Sequence, residues 1–318
     1  MSTQENRNNH STVAFYNLEN FFDLVDDPHT LDDDFTPNGM RTWNEDKFFR
    51  KAKKLAKTIA KIGEEDSGAS PVLIGLAEVE NENVINTLLQ EKALKDKDYA
   101  FVHFDSPDER GIDTALLYDK EHFTVLESDT IPLIVDNTNG ERDFTRDILY
   151  VRGRLHKEEV HIFVNHWPSR RDGASATSYK RIKAANTILQ KVESLNTAVS
   201  NYIIMGDFND NPNSKSIKTL METGRFINPM QKLLSPATGS ANYKGKWSLF
   251  DQILVSHSFL NYEEGTHTFK KASVFAPEFL KEHKEKYKGN PFRTFAGKKY
   301  LGGYSDHFPV YIVLKENS

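Results

Sequence analysis

There is no cysteine in the 318 residues, which removes disulfides, thiolate metal sites and a cysteine nucleophile. No apolar run approaches the length of a membrane helix, so no stable membrane insertion is expected. The first eleven residues, Met1–Ser11, are polar and Asn-rich and lack the apolar stretch of a signal peptide. A cytoplasmic location is therefore the default expectation, with secretion or a periplasmic place left open. Neither sign of charge dominates: 41 Lys and Arg face 46 Asp and Glu, a formal net charge of −5. That balance works against nonspecific coating of nucleic acid but leaves room for a local basic patch. A Gly-rich phosphate loop and a nucleophilic serine elbow are also missing. With no repeat, low-complexity linker or domain seam, residues 1–318 read as a single domain and a monomer, with 1–10 expected to be disordered. What is present, 38% hydrophobic and 11% aromatic residues, suffices for the core of a large α/β sandwich.

The chain alternates short apolar runs with polar tips. Tyr202–Met205 is β-branched and apolar, then stops at Gly206 and presents Asp207, Asn209 and Asp210. Further strands are predicted over 11–18, 71–77, 99–104, 113–118, 123–126, 148–155, 160–164, 248–255 and 308–314. Helices are predicted over 44–62, where Thr42-Trp43-Asn44-Glu45 has capping-box form, and over 83–94, 175–195 and 214–220. The lysines of the first helix read as a solvated face, and the aspartate-rich segment Asp23–Asp34 as a solvated loop whose spacing does not fit an EF-hand. Pro107-Asp108-Glu109-Arg110-Gly111 is turn chemistry, and the basic, aromatic stretch 279–300 a surface excursion.

The strand tips carry a chemical set: Asn17, Glu78, His166, Asp207 with Asn209, and Asp306 with His307; Asp251 lies inside an apolar strand and needs a partner there. Taken singly, each has a structural explanation, such as an Asx turn or a satisfied histidine. Together, carboxylates and amides suit a hard cation such as Mg²⁺ or Mn²⁺, and two histidines with carboxylate neighbours suit proton transfer.

At these residues the chain resembles the endonuclease/exonuclease/phosphatase family, the group of deoxyribonuclease I-like proteins. The matching segments are Tyr16-Asn17-Leu18-Glu19-Asn20, Leu76-Ala77-Glu78-Val79, Asn165-His166, Gly206-Asp207-Phe208-Asn209, Phe250-Asp251-Gln252-Ile253 and Tyr304-Ser305-Asp306-His307-Phe308-Pro309, in the family's order and nearly end to end. The resemblance implies a four-layer α/β sandwich, two mainly antiparallel sheets flanked by helices, and Mg²⁺-assisted hydrolysis of a phosphate ester, with Mn²⁺ as substitute. It implies that Glu78 is the principal metal ligand, with Asn17 beside the metal and Asp306 completing the site. Asp207 and Asn209 would orient water and a phosphate oxygen. His307, held by Asp251, would be base or phosphate contact, and His166 would assist with Asp113 as its orienter.

The substrate is less legible. The histidine pair resembles the deoxyribonuclease and sphingomyelinase branches more than the abasic-site endonucleases or 5-phosphatases. Arg170 and Arg171 beside His166, with Lys180, Arg181, Lys244, Lys246 and Trp247, form a candidate phosphate-contacting rim, and nucleic acid is the expected partner. A phosphomonoesterase, a phospholipid hydrolase and a catalytically silent binding module are the alternatives.

Overall fold

The computed structural model describes residues 7–195 and 201–318. In chain order the elements are β1 (His10–Phe21), α1 (Glu45–Ile59), α2 (Glu64–Ser67), β2 (Leu73–Val79), α3 (Glu82–Gln90), β3 (Tyr99–His103), β4 (Asp113–Asp119) and β5 (Phe123–Ile131). A short ribbon β6 (Val135–Asp136) and β7 (Arg142–Asp143) precedes β8 (Ile148–Leu155), β9 (Glu158–His166), α4 (Ser178–Ser194), β10 (Tyr202–Asp207), α5 (Lys215–Met221) and β11 (Phe226–Ile227). The hairpin β12 (Ala241–Tyr243) and β13 (Lys246–Ser248) leads to β14 (Asp251–Ser256), β15 (His267–Val274), the small hairpin β16 (Phe295–Ala296) and β17 (Lys299–Tyr300), and β18 (Val310–Glu316).

Two six-stranded sheets result, ordered β15-β18-β1-β2-β4-β3 and β11-β14-β10-β9-β8-β5. Only β1–β2 and β10–β9 pair in parallel within them. The two parallel pairs sit at the sheet centres, where strands are buried on both faces and read as continuous apolar runs. Val13, Phe15, Ile203, Met205, Ile253 and Ile312 fill the space between the sheets. On the far side of the first sheet, Ala14, Tyr16, Ile74 and Leu76 meet Phe48, Leu55 and Ile59 of α1 and Ile85 of α3. Beyond the second, Tyr150, Ile204 and Leu254 meet Ala185 and Ile188 of α4 and Ile217 of α5. The molecule is therefore a four-layer α/β sandwich, helix–sheet–sheet–helix. Asn44 caps α1 by accepting from Lys47 N at 3.2 Å. No described helix is long and apolar enough to cross a membrane.

Four expectations change. The disorder expected over 1–10 falls partly on residues 1–6, outside the described residues; Arg7–Asn9 form a 3-10 turn and His10 already pairs with Lys315. The α1 lysines are not all solvated. Lys51 is buried and donates to Glu19 O and, at 2.8 Å, to Thr294 Oγ1. Nor is the acidic segment wholly a surface loop, because Asp23 and Asp32 are buried; Asp23 accepts from the amides of Asn81 and Asn83 at 3.1 and 3.2 Å. The predicted strand 248–255 is divided, its first residue belonging to the β12–β13 hairpin.

Candidate active site

Strand alternation explains how polar groups gather between apolar sheets. Side chains two apart share a face. On β1, Val13 and Phe15 point between the sheets and Asn17 continues their face; on β10, Ile203 and Met205 lead to Asp207. On β9, Ile162 and Val164 lead to His166, and on β14 Asp251 precedes Ile253 and Val255. The last inward position of each strand, at one rim of the sandwich, is thus polar. Register then fixes the neighbours: Asp207 lies opposite His166 on β9 and opposite Asp251 on β14.

Glu78 reaches the same rim by breaking the alternation. The β2–β4 register shifts between Ala77 and Val79, and Glu78 has φ 61°. Ala77 packs between the sheets but Val79 packs under the helices, so the irregularity re-aims Glu78. Positive φ recurs at Glu19 and Asn20 (52° each) and at Asn209 (48°). Non-glycine residues adopt this region at a cost, and its concentration at one rim marks a site whose surroundings impose it.

Hydrogen bonds tie the two sheets together here. Asn17 Nδ2 donates to Asp207 Oδ2 at 3.1 Å and to Glu78 Oε1 at 3.4 Å. Asn20 N–H donates to Glu78 Oε2 at 2.7 Å, and Asn209 N–H to Asp207 Oδ1 at 2.9 Å. His307 Nδ1 lies 2.6 Å from Asp251 Oδ2, while its Nε2 is 4.0 Å from Asp207 Oδ2. His166 Nε2 is 3.8 Å from both Glu78 Oε1 and Asp207 Oδ2.

The two imidazoles are driven apart. Burial and the charges of Arg146, Arg110 and His307 hold His166 well below its ordinary value, so it is neutral. Burial pulls His307 the same way, but Asp251 and Asp207 outweigh it and hold this ring well above its ordinary value, charged at neutral pH. Asp207 is raised to about 7, chiefly by burial, with Asp251 adding to the shift and His307 opposing it. Two titrating groups tuned in opposite senses are the ordinary signature of an acid–base pair.

The donor set also fits a cation. Carboxylate oxygens of Asp207 and Asp251 lie within 4.8 Å of each other, and Glu78 adds its carboxylate from the facing sheet, whereas Asn17 turns its Nδ2 to the cluster and its Oδ1 to Glu19 N–H at 2.9 Å. Asp251 Oδ1 is buried without a hydrogen-bond partner. Such hard, oxygen-rich surroundings suit a small divalent ion.

Not every expected residue joins the cluster. Asp306 pairs through Oδ2 with Arg293; burial alone would raise its pKa, but His307, Arg293 and Lys51 hold it low. Asp113 does not orient His166: it accepts from Ser106 N–H at 3.0 Å and from the Ser106 hydroxyl, and faces His103. Arg170 is committed to Asp210 and to Asn209 O (2.6 Å), and lies 4.9 Å over the Phe250 ring. Arg171 is exposed on the adjoining loop. Lys180 pairs with Asp143 at 2.8 Å, and buried Arg181 lies 2.9 Å from Asp210 Oδ2. Both are structural rather than part of an open rim. Asn209 spends one amide hydrogen on Trp167 O at 2.9 Å.

The structure also brings in residues that sequence reasoning left outside the site, and it places Trp247 of the expected rim. Arg110 lies 3.6 Å from Glu78 Oε2 and donates to Asn20 Oδ1. Arg146 pairs with Asp108 at 2.8 Å and donates to His166 O at 3.2 Å. The β12–β13 hairpin is bridged to His307 through Ala241, its Trp247 stacks on Phe308 at 6.0 Å, and its Tyr243 is 73% exposed. Arg110 had one available signal, a cation three residues before the next strand, but turns carry such residues routinely.

Comparison with known proteins gives a consistent result. The sequence matches the endonuclease/exonuclease/phosphatase family over residues 12–316. No curated protein matches it. Among solved structures it is similar to an endonuclease/exonuclease/phosphatase family protein from Bacteroides thetaiotaomicron, at 17% identity and TM-score 0.60 over 97% of this chain and 98% of that one. It is also similar to a mannosyl-6-phosphatase of the same organism, at 16% identity and TM-score 0.58 over 96% and 99%. D. rerio TDP2, crystallised with a single-strand DNA product, gives 15% identity and TM-score 0.57 over 96% and 99%. At these identities the likeness is one of fold.

Proposed function

Because the chain belongs to the endonuclease/exonuclease/phosphatase family, whose members hydrolyse phosphate esters, we propose that it is a Mg²⁺-dependent phosphodiesterase acting on nucleic acid, with Mn²⁺ as a substitute. The observation that carries the reading is the convergence of Asn17, Glu78, His166, Asp207 and His307 from facing sheets, with the two histidines held in opposite charge states. A phosphodiester is anionic and repels an incoming oxygen nucleophile, so a site must supply positive charge and alignment together. Glu78 would hold the ion, with Asn17 beside it, and the ion would supply positive charge to the phosphate. His307, charged and fixed by Asp251, donates from Nε2 to another phosphate oxygen. Asp207, near neutrality in its titration and held by Asn17 and Asn209, accepts the proton of the attacking water. Neutral His166 aligns that carboxylate from the opposite side.

A diester is favoured over a monoester by the surroundings of His307. Exposed Tyr243, with Lys244 5.2 Å over its ring, stands on the hairpin bridged to His307 and offers a base a stacking surface. Similar folds serve both chemistries, since one neighbour is named a mannosyl-6-phosphatase and another is seen with a DNA product. The test compares bis-p-nitrophenyl phosphate, p-nitrophenyl phosphate, plasmid DNA and sphingomyelin with Mg²⁺, Mn²⁺ or EDTA, with His307→Ala as control. Cleavage of the diester or DNA that requires both metal and His307 is expected. Activity confined to the monoester or the lipid would overturn the substrate, and binding of DNA without cleavage of any ester would point to a silent module.

A further inference from the structure

We propose that a second metal site, for a tetrahedrally bound divalent transition ion of the Zn²⁺ type, is formed by His103, Asp105 and Asp113 at the β3–β4 turn. The ligand atoms of these three residues lie within 4.8 Å of one another, and none belongs to the Asn17–Glu78–Asp207–His307 cluster. His103 is 9% exposed, yet its Nε2 is buried with no hydrogen-bond partner. That atom stands 3.5 Å from Asp113 Oδ2. The separation is long for a hydrogen bond, but two ligands each about 2.1 Å from one tetrahedral ion are about 3.4 Å apart. Asp113 is already oriented for the task. Ser106 N–H and the Ser106 hydroxyl both donate to Oδ1, which leaves Oδ2 facing the imidazole. Asp105 is exposed, so the third ligand stands at the surface and gives an ion its route of entry.

One imidazole and two carboxylates favour Zn²⁺ over Mg²⁺ or Ca²⁺, which prefer oxygen throughout. The fourth position is left to water. The ion would close the base of the 104–112 loop, joining the last residue of β3 to the first of β4. The same loop carries Arg110, beside Glu78, and Asp108, which pairs with Arg146 behind His166. Filling the site therefore braces two contacts of the active-site rim from outside it.

The test uses the full chain, stripped with chelator, and titrates it with Zn²⁺ by calorimetry and with Co²⁺ by visible absorption. The parent is expected to bind one equivalent that gives the intense absorption of tetrahedral Co²⁺. Asp105→Asn and His103→Gln should each lose that equivalent, and Glu78→Gln should retain it. Crystals soaked in Zn²⁺ should show an anomalous peak among the three side chains. Retention of the tetrahedral equivalent in both Asp105→Asn and His103→Gln would overturn the proposal, as would its loss in Glu78→Gln or a peak only elsewhere. Asp105 is exposed, so its variant reports on the ion even where His103→Gln fails to fold. No readout depends on hydrolysis, so the result stands apart from the phosphodiesterase reading.

Discussion

At the scale of single residues, the site is a problem in proton placement. Asp251 is fully buried and its Oδ2 touches His307 Nδ1 at 2.6 Å. Burial opposes a charged ring, but Asp251 and Asp207 hold His307 high, while burial together with Arg146 and Arg110 holds His166 low. The proposed mechanism then requires Asp207 deprotonated and His307 protonated. With Asp207 at about 7, kcat/KM should rise with pH through neutrality and fall only well above His307's ordinary value. Asp251→Asn removes the charge that raises His307, so the alkaline limb should move to lower pH, toward 6.5, with kcat down by about 10²-fold or more. A pH–rate profile of this variant checks both; an unmoved alkaline limb would detach His307 from it. His307→Ala should lower kcat by roughly 10²–10⁴-fold with little change in KM for the metal-bound substrate. Glu78→Gln removes a hard anionic ligand and should raise the Mg²⁺ concentration for half-maximal rate, measured by metal titration. The inward residues among these were legible because each ends an apolar alternation: Asn17 after Val13 and Phe15, Asp207 after Ile203 and Met205. The roles of Asp113, Asp306 and Arg170 were not, because a carboxylate or guanidinium beside a strand end does not announce which of several neighbours will claim it.

Elements position those residues through features smaller than a strand. Gly206 stands where a Cβ would meet Asn165 O at 2.3 Å and Asn165 Cβ at 2.6 Å, so β10 approaches β9 as closely as backbone permits. The neighbouring atoms include main chain, which cannot rotate away. Gly206→Ala should therefore push β10 from β9, costing about 1–3 kcal/mol by denaturant titration, and should lower kcat by moving Asp207 against His166. The Glu78 bulge is the complementary device, and nothing in Leu76-Ala77-Glu78-Val79 distinguishes it from a regular strand end. The acidic segment after β1 carries a pH dependence of its own. Glu80, which accepts from Asp23 N–H, is raised from 4.5 to about 8 by burial and by Asp23, Asp32 and Asp27. A value higher in the native than in the unfolded state means that the folded protein holds this proton more tightly. Its stabilising contribution is thus complete below pH 4.5 and lost as pH rises through about 8. Glu80→Gln stays uncharged and still accepts the Asp23 N–H, so the variant should be more stable than the parent above pH 8. Thermal melts from pH 5 to 9 should show a shallower decline for the variant. The burial of Asp23, Asp32 and Lys51 escaped the sequence because composition alone cannot show that a charged side chain has an amide or carbonyl waiting inside.

For the whole molecule, the decisive feature is that the site exists only where two sheets meet. Asn17 and Glu78 belong to one sheet and His166, Asp207 and Asp251 to the other, and the Asn17–Asp207 bond of 3.1 Å crosses between them. The central strands were legible from their apolar runs, and the resemblance supplied the four-layer arrangement. The edge strand β15 was not predicted: His267–Val274 is largely polar, with Lys270 and Lys271 outward, the composition with which exposed edges avoid further pairing. Sheet spacing should accordingly control activity from a distance. Gly75, on β2, sits beneath the site, and a Cβ there would meet Met205 Sδ at 2.6 Å across the core and Phe15 Cδ2 at 3.0 Å on the neighbouring strand. Gly75→Val adds bulk to a layer closed by residues of both sheets and should cost about 1–3 kcal/mol. If the sheets respond by moving apart, Asn17 and Asp207 separate while each sheet keeps its own hydrogen bonds. Far-UV circular dichroism should then be unchanged, the denaturation midpoint lower with an unaltered slope, and kcat reduced at temperatures where the variant is fully folded. Full activity in the folded variant would instead mean that Met205, the flexible partner, absorbs the added methyl groups, and that the rim is indifferent to the spacing below it.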